Sequence, residues 1–136
     1  MKKVHICCII DDDPIFIYGT KRMIKEVDFS DQIIVYTNGQ EAIEGLYEIS
    51  TTGEPLPDVI FLDLNMPIMD GWEFLEEFDK LPHHNIKKTI IYIISSSVDP
   101  RDLERIKNYK QVTNYILKPV TPEDLEQILS VSKSER

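Results

Sequence analysis

Short apolar runs alternate with amphipathic stretches along the chain, and the two periods predict its elements. Runs of about four to eight apolar residues, bounded by turn-forming residues, read as buried strands. They fall at Val4 to Ile10, Ile33 to Tyr36, Val59 to Leu62, Thr89 to Ile94 and Asn114 to Leu117. The three densest in Ile and Val are expected inside the sheet, covered on both faces. Between the runs, apolar residues recur at helical spacing. Pro14 suits a first helical position, and Ile17, Met23, Ile24 and Val27 fall at spacings expected to bury one side of a helix running from there to about Glu26. Asn38-Gly39 precedes a second helix holding Ala42, Ile43, Leu46 and Tyr47, which the stretch Thr51 to Pro55 stops. Asp70-Gly71 opens a third with Trp72, Leu75 and Phe78 on one face, and Asp99-Pro100 a fourth through Leu103 and Ile106. Thr121 caps a last helix with Pro122 at its first position and Leu125, Ile128 and Leu129 facing inward.

Successive strand-helix units of this kind build a parallel sheet with helices on both faces. The expected fold is α/β: a five-stranded, doubly wound, flavodoxin-like three-layer sandwich. At 136 residues the chain is expected to be one domain, residues 1–136, with a short fraying tail from about Ser130 to Arg136. Repeats and low-complexity segments are not visible.

Charge narrows the function. Fifteen Lys and Arg stand against 24 Asp and Glu, a net charge of -9, and such a surface repels nucleic acid and anionic lipid. Neither a nucleic-acid nor a membrane partner is expected. Apolar runs fall short of the roughly 20 residues of a membrane span, and the N-terminal stretch lacks the features of a cleaved signal, so a cytoplasmic location is expected. Cys7 and Cys8 are neighbours in a strand, point to opposite faces, and read as buried thiols rather than a disulfide or metal pair. His5 reads as a strand residue, and His83 and His84 as a solvated pair after Pro82.

In an open parallel sheet, functional residues gather at the carboxyl ends of the strands. Here Asp11, Asp12 and Asp13 follow the first strand, Asp63 ends the third, Ser95 to Ser97 follow the fourth, and Lys118-Pro119 follows the fifth. Carboxylates brought within a few ångströms remain ionised together only if a cation neutralises them. Oxygen-only donors suit magnesium, which takes one or two carboxylates and keeps waters or phosphate oxygens. An acidic run alone is more often a solvated turn; its position directly after a buried strand changes that.

The ordered segments IIDDDP, VIFLDLNMPIMDG, IYIISSS and YILKP resemble the receiver domain of response regulators over essentially the whole chain, and the chain is similar to the chemotaxis response regulators. The resemblance implies a two-component phosphorelay switch that accepts a phosphoryl group on Asp63 from a sensor histidine kinase or a histidine phosphotransfer protein. It implies Mg2+ held by Asp11, Asp12, Asp63 and the backbone carbonyl of Asn65, with Asp13 the variable acid outside the ligand set. Lys118 matches the family's lysine, which pairs with the acceptor and then with a phosphoryl oxygen, and Pro119 its cis proline. Ser95, directly after the run Ile90 to Ile94, matches the switch hydroxyl, with Ser96 where the family has Ala, Ser or Thr. Tyr115 matches the switch aromatic. Met66-Pro67 and Asp70-Gly71 match the loop that shapes the site, while the segment Leu81 to Lys88 is longer and more basic than the pattern.

Such a domain is not an enzyme beyond its own phosphorylation and autodephosphorylation. It signals through a phosphorylation-dependent surface to an unknown downstream protein or to a second copy as a dimer. Alternatives stay open: a phosphotransfer intermediate or phosphate sink without output, a receiver that only docks partners, or a haloacid dehalogenase-like phosphotransferase. That last class needs a general acid two residues after its nucleophile, where this chain has Asn65. A flavodoxin-like cofactor binder lacks its phosphate loop here, since acids follow the first strand.

Overall fold

A computed structural model describes residues 3–82, 88–97 and 99–134. The elements run β1 (Val4–Ile10), α1 (Pro14–Glu26), β2 (Ser30–Tyr36), α2 (Gly39–Thr52), β3 (Val59–Asp63), α3 (Gly71–Phe78), β4 (Ile90–Ser95), α4 (Pro100–Ile106), β5 (Val112–Leu117) and α5 (Pro122–Ser134). The sheet is wholly parallel in the order β2-β1-β3-β4-β5. That order reverses direction between β1 and β3, so the loops after these two strands diverge and leave a crevice at their carboxyl ends.

The three interior strands, β1, β3 and β4, are the most fully buried, and each is covered on both sides. One core layer packs Cys8, Ile10, Ile60, Leu62, Ile91 and Ile93 against α2, α3 and α4 through Ala42, Leu46, Phe74, Phe78 and Ile106. The other packs Cys7, Ile9, Val59, Phe61, Tyr92 and Ile94 against α1 and α5 through Phe16, Ile24, Leu125 and Ile128. Cys7 and Cys8 thus face opposite layers as free, buried thiols. Burial pushes both thiols up from their ordinary range.

Several expected boundaries shift. β2 begins at Ser30 and β5 at Val112, because the less apolar leading residues still complete the ladder. β5 takes up a register irregularity opposite Ile91 and Tyr92. Helix α1 buries Phe16, Thr20 and Ile24, a stripe at i, i+4 and i+8, while Ile17 and Met23 flank it and Val27 is exposed. Asp13 sets that phase: it caps the helix by accepting from the Ile15 N–H at 3.0 Å, and Pro14 takes the first position. Tyr47 is also exposed, whereas Phe74 is fully buried on α3 and Trp72 only half-buried. Helix α5 is described as far as Ser134, within the stretch expected as a tail. His83, His84 and most of the segment between Leu81 and Lys88 lie outside the described residues. Among the described residues, no helix is long and apolar enough to cross a membrane.

Candidate functional site

The strand ends of β1, β3 and β5 deliver the charged groups. Asp11 follows β1 with its N–H donating to the Tyr36 carbonyl at 3.1 Å, which extends the ladder and holds its side chain inward at 1% exposure. Its Oδ1 accepts from the Asp13 N–H at 2.9 Å, so the chain turns away at once and leaves Asp12 exposed. Asp63 is the last residue of β3, 6% exposed, and its Oδ1 accepts from the Asn65 N–H at 3.2 Å. One carboxylate oxygen from each of Asp11, Asp12 and Asp63 lies within 4.8 Å of the others. Asp13 stands outside this group as the cap of α1.

Lys118 reaches the acids from the end of β5, where its N–H donates to the Ser95 carbonyl at 2.8 Å. The Lys118-Pro119 bond is cis. The ammonium lies 3.0 Å from Asp11 Oδ2 and 4.0 Å from Asp63 Oδ2. The expected pairing with Asp63 is therefore the longer of two ion pairs, and Asp11 is the nearer partner. The buried Asp11 Oδ2 nonetheless accepts no hydrogen bond, so its short contact with the ammonium is charge proximity rather than an aligned bond. Under the ammonium lies the ring of Phe16, with Nζ 4.6 Å from its centroid.

A single ammonium does not balance three carboxylates. Burial, then the Asp11 charge and to a lesser degree Asp12, push the Asp63 carboxyl up to about 6, against the opposing Asn65 N–H and Lys118. A second cation would complete the charge balance of such a group. The donors are all oxygens, they converge, and one buried lone-pair site on Asp11 is unsatisfied; these features fit a hard divalent ion such as magnesium.

A close approach at Gly71 shapes the loop after β3. Gly71 donates to the Leu64 carbonyl at 3.0 Å, and a Cβ there would stand 2.8 Å from the Asp63 carbonyl oxygen and from Leu64 Cα. The N-terminus of α3 packs that close because residue 71 has no side chain. Asp70 and Glu73 form a reciprocal capping box that fixes this end. Sequence reasoning placed Gly71 in a turn but did not foresee this contact, and it missed Phe16 altogether. The available signal for Phe16 was its place one turn after Asp12, on the stripe shared with Thr20 and Ile24.

Ser95 ends β4 but is turned toward its own loop: its hydroxyl donates to the Ser97 carbonyl and accepts from the Ser97 N–H at 3.2 Å. Ser95 and Tyr115 line one cavity beneath α4 together with Leu64, Ile93, Leu103 and Ile106. Its volume is ≈ 10 Å³, room for about one water. The structure thus brings Asp11, Asp12, Asp63 and Lys118 into one cluster and sets Ser95 and Tyr115 in an adjoining one.

The response regulator receiver domain family matches residues 7–130. The chain is similar to the nitrate/nitrite response regulator protein NarL of Escherichia coli, 31% identical over 121 residues that cover 89% of this chain and 51% of that protein. Among solved structures it resembles a two component response regulator from Cytophaga hutchinsonii, with a TM-score of 0.86 and 32% identity over 97% of this chain and 98% of that one. It also resembles a response regulator receiver protein from Dyadobacter fermentans, with a TM-score of 0.79 and 26% identity over 93% and 96%. The chain spans about half the length of the NarL protein it matches. An acid-rich crevice at the switch point of a β2-β1-β3-β4-β5 sheet, matched by that family over residues 7–130, makes the chain a member of the response regulator receiver domain family of two-component systems.

Proposed function

We propose that Asp63 is the phosphoacceptor of this receiver domain and that a phosphohistidine in a sensor histidine kinase or histidine phosphotransfer protein is its donor. The observation that carries this is the convergence of Asp63 with Asp11, Asp12 and the Lys118 ammonium at the crevice. In the transfer, an Asp63 carboxylate oxygen attacks phosphorus, the phosphorus-nitrogen bond breaks, and its electron pair returns to the imidazole. The Asn65 N–H steadies the Asp63 carboxylate through Oδ1 and leaves Oδ2 on the side of Lys118. Lys118 stands within reach of the phosphoryl group as it arrives and donates to one of its oxygens.

Asp11, Asp12 and Asp63, with the backbone carbonyl of Asn65, would hold magnesium. Once bound, the ion supplies neutralisation of the charge on the transferring oxygens. Ser95 and Tyr115 form the switch, with the Ser95 hydroxyl leaving the Ser97 backbone for a phosphoryl oxygen. Residues 1–136 act as one receiver domain in this reading, located in the cytoplasm with its donors. Its output is a phosphorylation-dependent protein surface rather than catalysis on another substrate.

The test is incubation with acetyl phosphate and magnesium followed by peptide mapping of the acid-labile product. Label on Asp63, absent in Asp63→Asn, is the expected result. Label that persists in Asp63→Asn at a serine or histidine would overturn the assignment.

A further inference from the structure

We propose that Phe16 is a positioning residue for Lys118, its ring face holding the ammonium beside Asp63. The inference rests on the reading of Asp63 as phosphoacceptor and deepens it.

Three neighbours surround the Lys118 ammonium: Asp11 Oδ2 at 3.0 Å, Asp63 Oδ2 at 4.0 Å and the Phe16 centroid at 4.6 Å. The nearest, Asp11, belongs to the acid cluster, so any divalent ion held there draws on the same carboxylate. Two cations then compete for Asp11. With its closest counter-charge engaged elsewhere, a lysine on a flexible four-carbon stem is free to swing to solvent. Of these three, the ring is the one that a metal would not claim. A cation within about 6 Å of an aromatic centroid is attracted by the ring quadrupole, and more strongly where water is excluded. Phe16 is 8% exposed and the Lys118 side chain 21%, so the contact is largely dry.

The ring is also tied to the acids through the backbone. Asp11 accepts from the Asp13 N–H, Asp13 accepts from the Ile15 N–H, and the Ile17 N–H donates to the Asp13 carbonyl at 3.0 Å. Asp11 and the first turn of α1 thus form one hydrogen-bonded unit, and Phe16 projects from it toward the end of β5. Filling this part of the core needs only an apolar side chain, whereas attraction of the ammonium by a ring quadrupole needs an aromatic one.

The experiment uses the full chain with Phe16 replaced by Met, by Tyr, and by phenylalanines of increasing ring fluorination, which keep the shape while weakening the negative face. The measurements are the rate of Asp63 labelling by acetyl phosphate at saturating magnesium, and the proton resonances of the Lys118 Cε methylene in the unphosphorylated protein. Those resonances should lie upfield in the wild type from the ring current, stay there in Phe16→Tyr, and return to ordinary values in Phe16→Met. Labelling should slow about three- to tenfold in Phe16→Met, recover in Phe16→Tyr, and fall stepwise along the fluorinated series. Equal rates across the fluorinated series, or unshifted methylene resonances in the wild type, would overturn the role of the ring. A wild type that takes no label on Asp63 overturns the phosphoacceptor assignment instead, and the resonances then still report where the ammonium sits.

Discussion

Lys118 stands a full ångström nearer to Asp11 than to Asp63, with its ammonium 3.0 Å from one carboxylate and 4.0 Å from the other. It therefore serves as counter-charge to both buried carboxylates rather than to Asp63 alone.

Removing it has a definite consequence. Lys118→Met should leave Asp11 buried without an ionic partner and lower the stability of metal-free protein by about 1–3 kcal/mol. Part of that loss should return on adding magnesium, by linkage. Asp12→Asn should act in the opposite sense, stabilising the metal-free fold by up to about 1 kcal/mol through relieved repulsion while weakening magnesium binding. Urea midpoints with EDTA and with magnesium decide both, and an Asp12→Asn protein less stable than wild type in EDTA would contradict the electrostatic account.

Ser95 and Tyr115 share a cavity lined by Leu103 and Ile106 of α4, so a switch at these residues acts on α4 and the loop before it. The surface that changes then includes the exposed side chains of Arg101, Glu104, Lys107, Glu123 and Glu126. Phosphorylation should strengthen binding to a protein partner or a second copy, and Ser95→Ala should weaken that gain while Asp63 still takes label. Equal affinity of phosphorylated and unphosphorylated protein for every partner tried would assign the domain to shuttling or draining phosphate.

Two glycines in similar-looking helical positions should respond oppositely to alanine. At Gly71 a Cβ meets backbone at 2.8 Å, so Gly71→Ala should cost about 1–3 kcal/mol and disturb the loop that carries Asn65. At Gly19, inside α1, nothing lies within 4 Å, and Gly19→Ala should stabilise by roughly 0.5–1 kcal/mol through helix propensity. Thermal melts of the pair check the contrast.

Cys7 and Cys8 should resist alkylation in the folded protein. Burial raises both thiols, so at pH 8.5, where a free cysteine is about half ionised, neither supplies appreciable thiolate. Iodoacetamide should modify neither at that pH and both after denaturation in guanidinium. Fast labelling of native protein would mean that β1 opens.

The sequence by itself located the five strands, the five helices and the strand ends that carry Asp11, Asp12, Asp63, Ser95 and Lys118, because periodicity and turn chemistry are local properties of the chain. Edges blurred at β2 and β5, where ladder bonding rather than side-chain polarity decides which residues join. Tertiary structure alone decided that Phe16 rather than Val27 faces the core, that the Lys118 ammonium leans toward Asp11, and that Gly71 touches the Asp63 backbone. Each of these depends on how one element's phase meets another element's surface, and a helical phase shifted by a single residue turns a side chain about 100° around the axis. Whether a phenylalanine fills the core or lies beneath a lysine is settled only when α1 and the end of β5 are packed on the same side of the sheet.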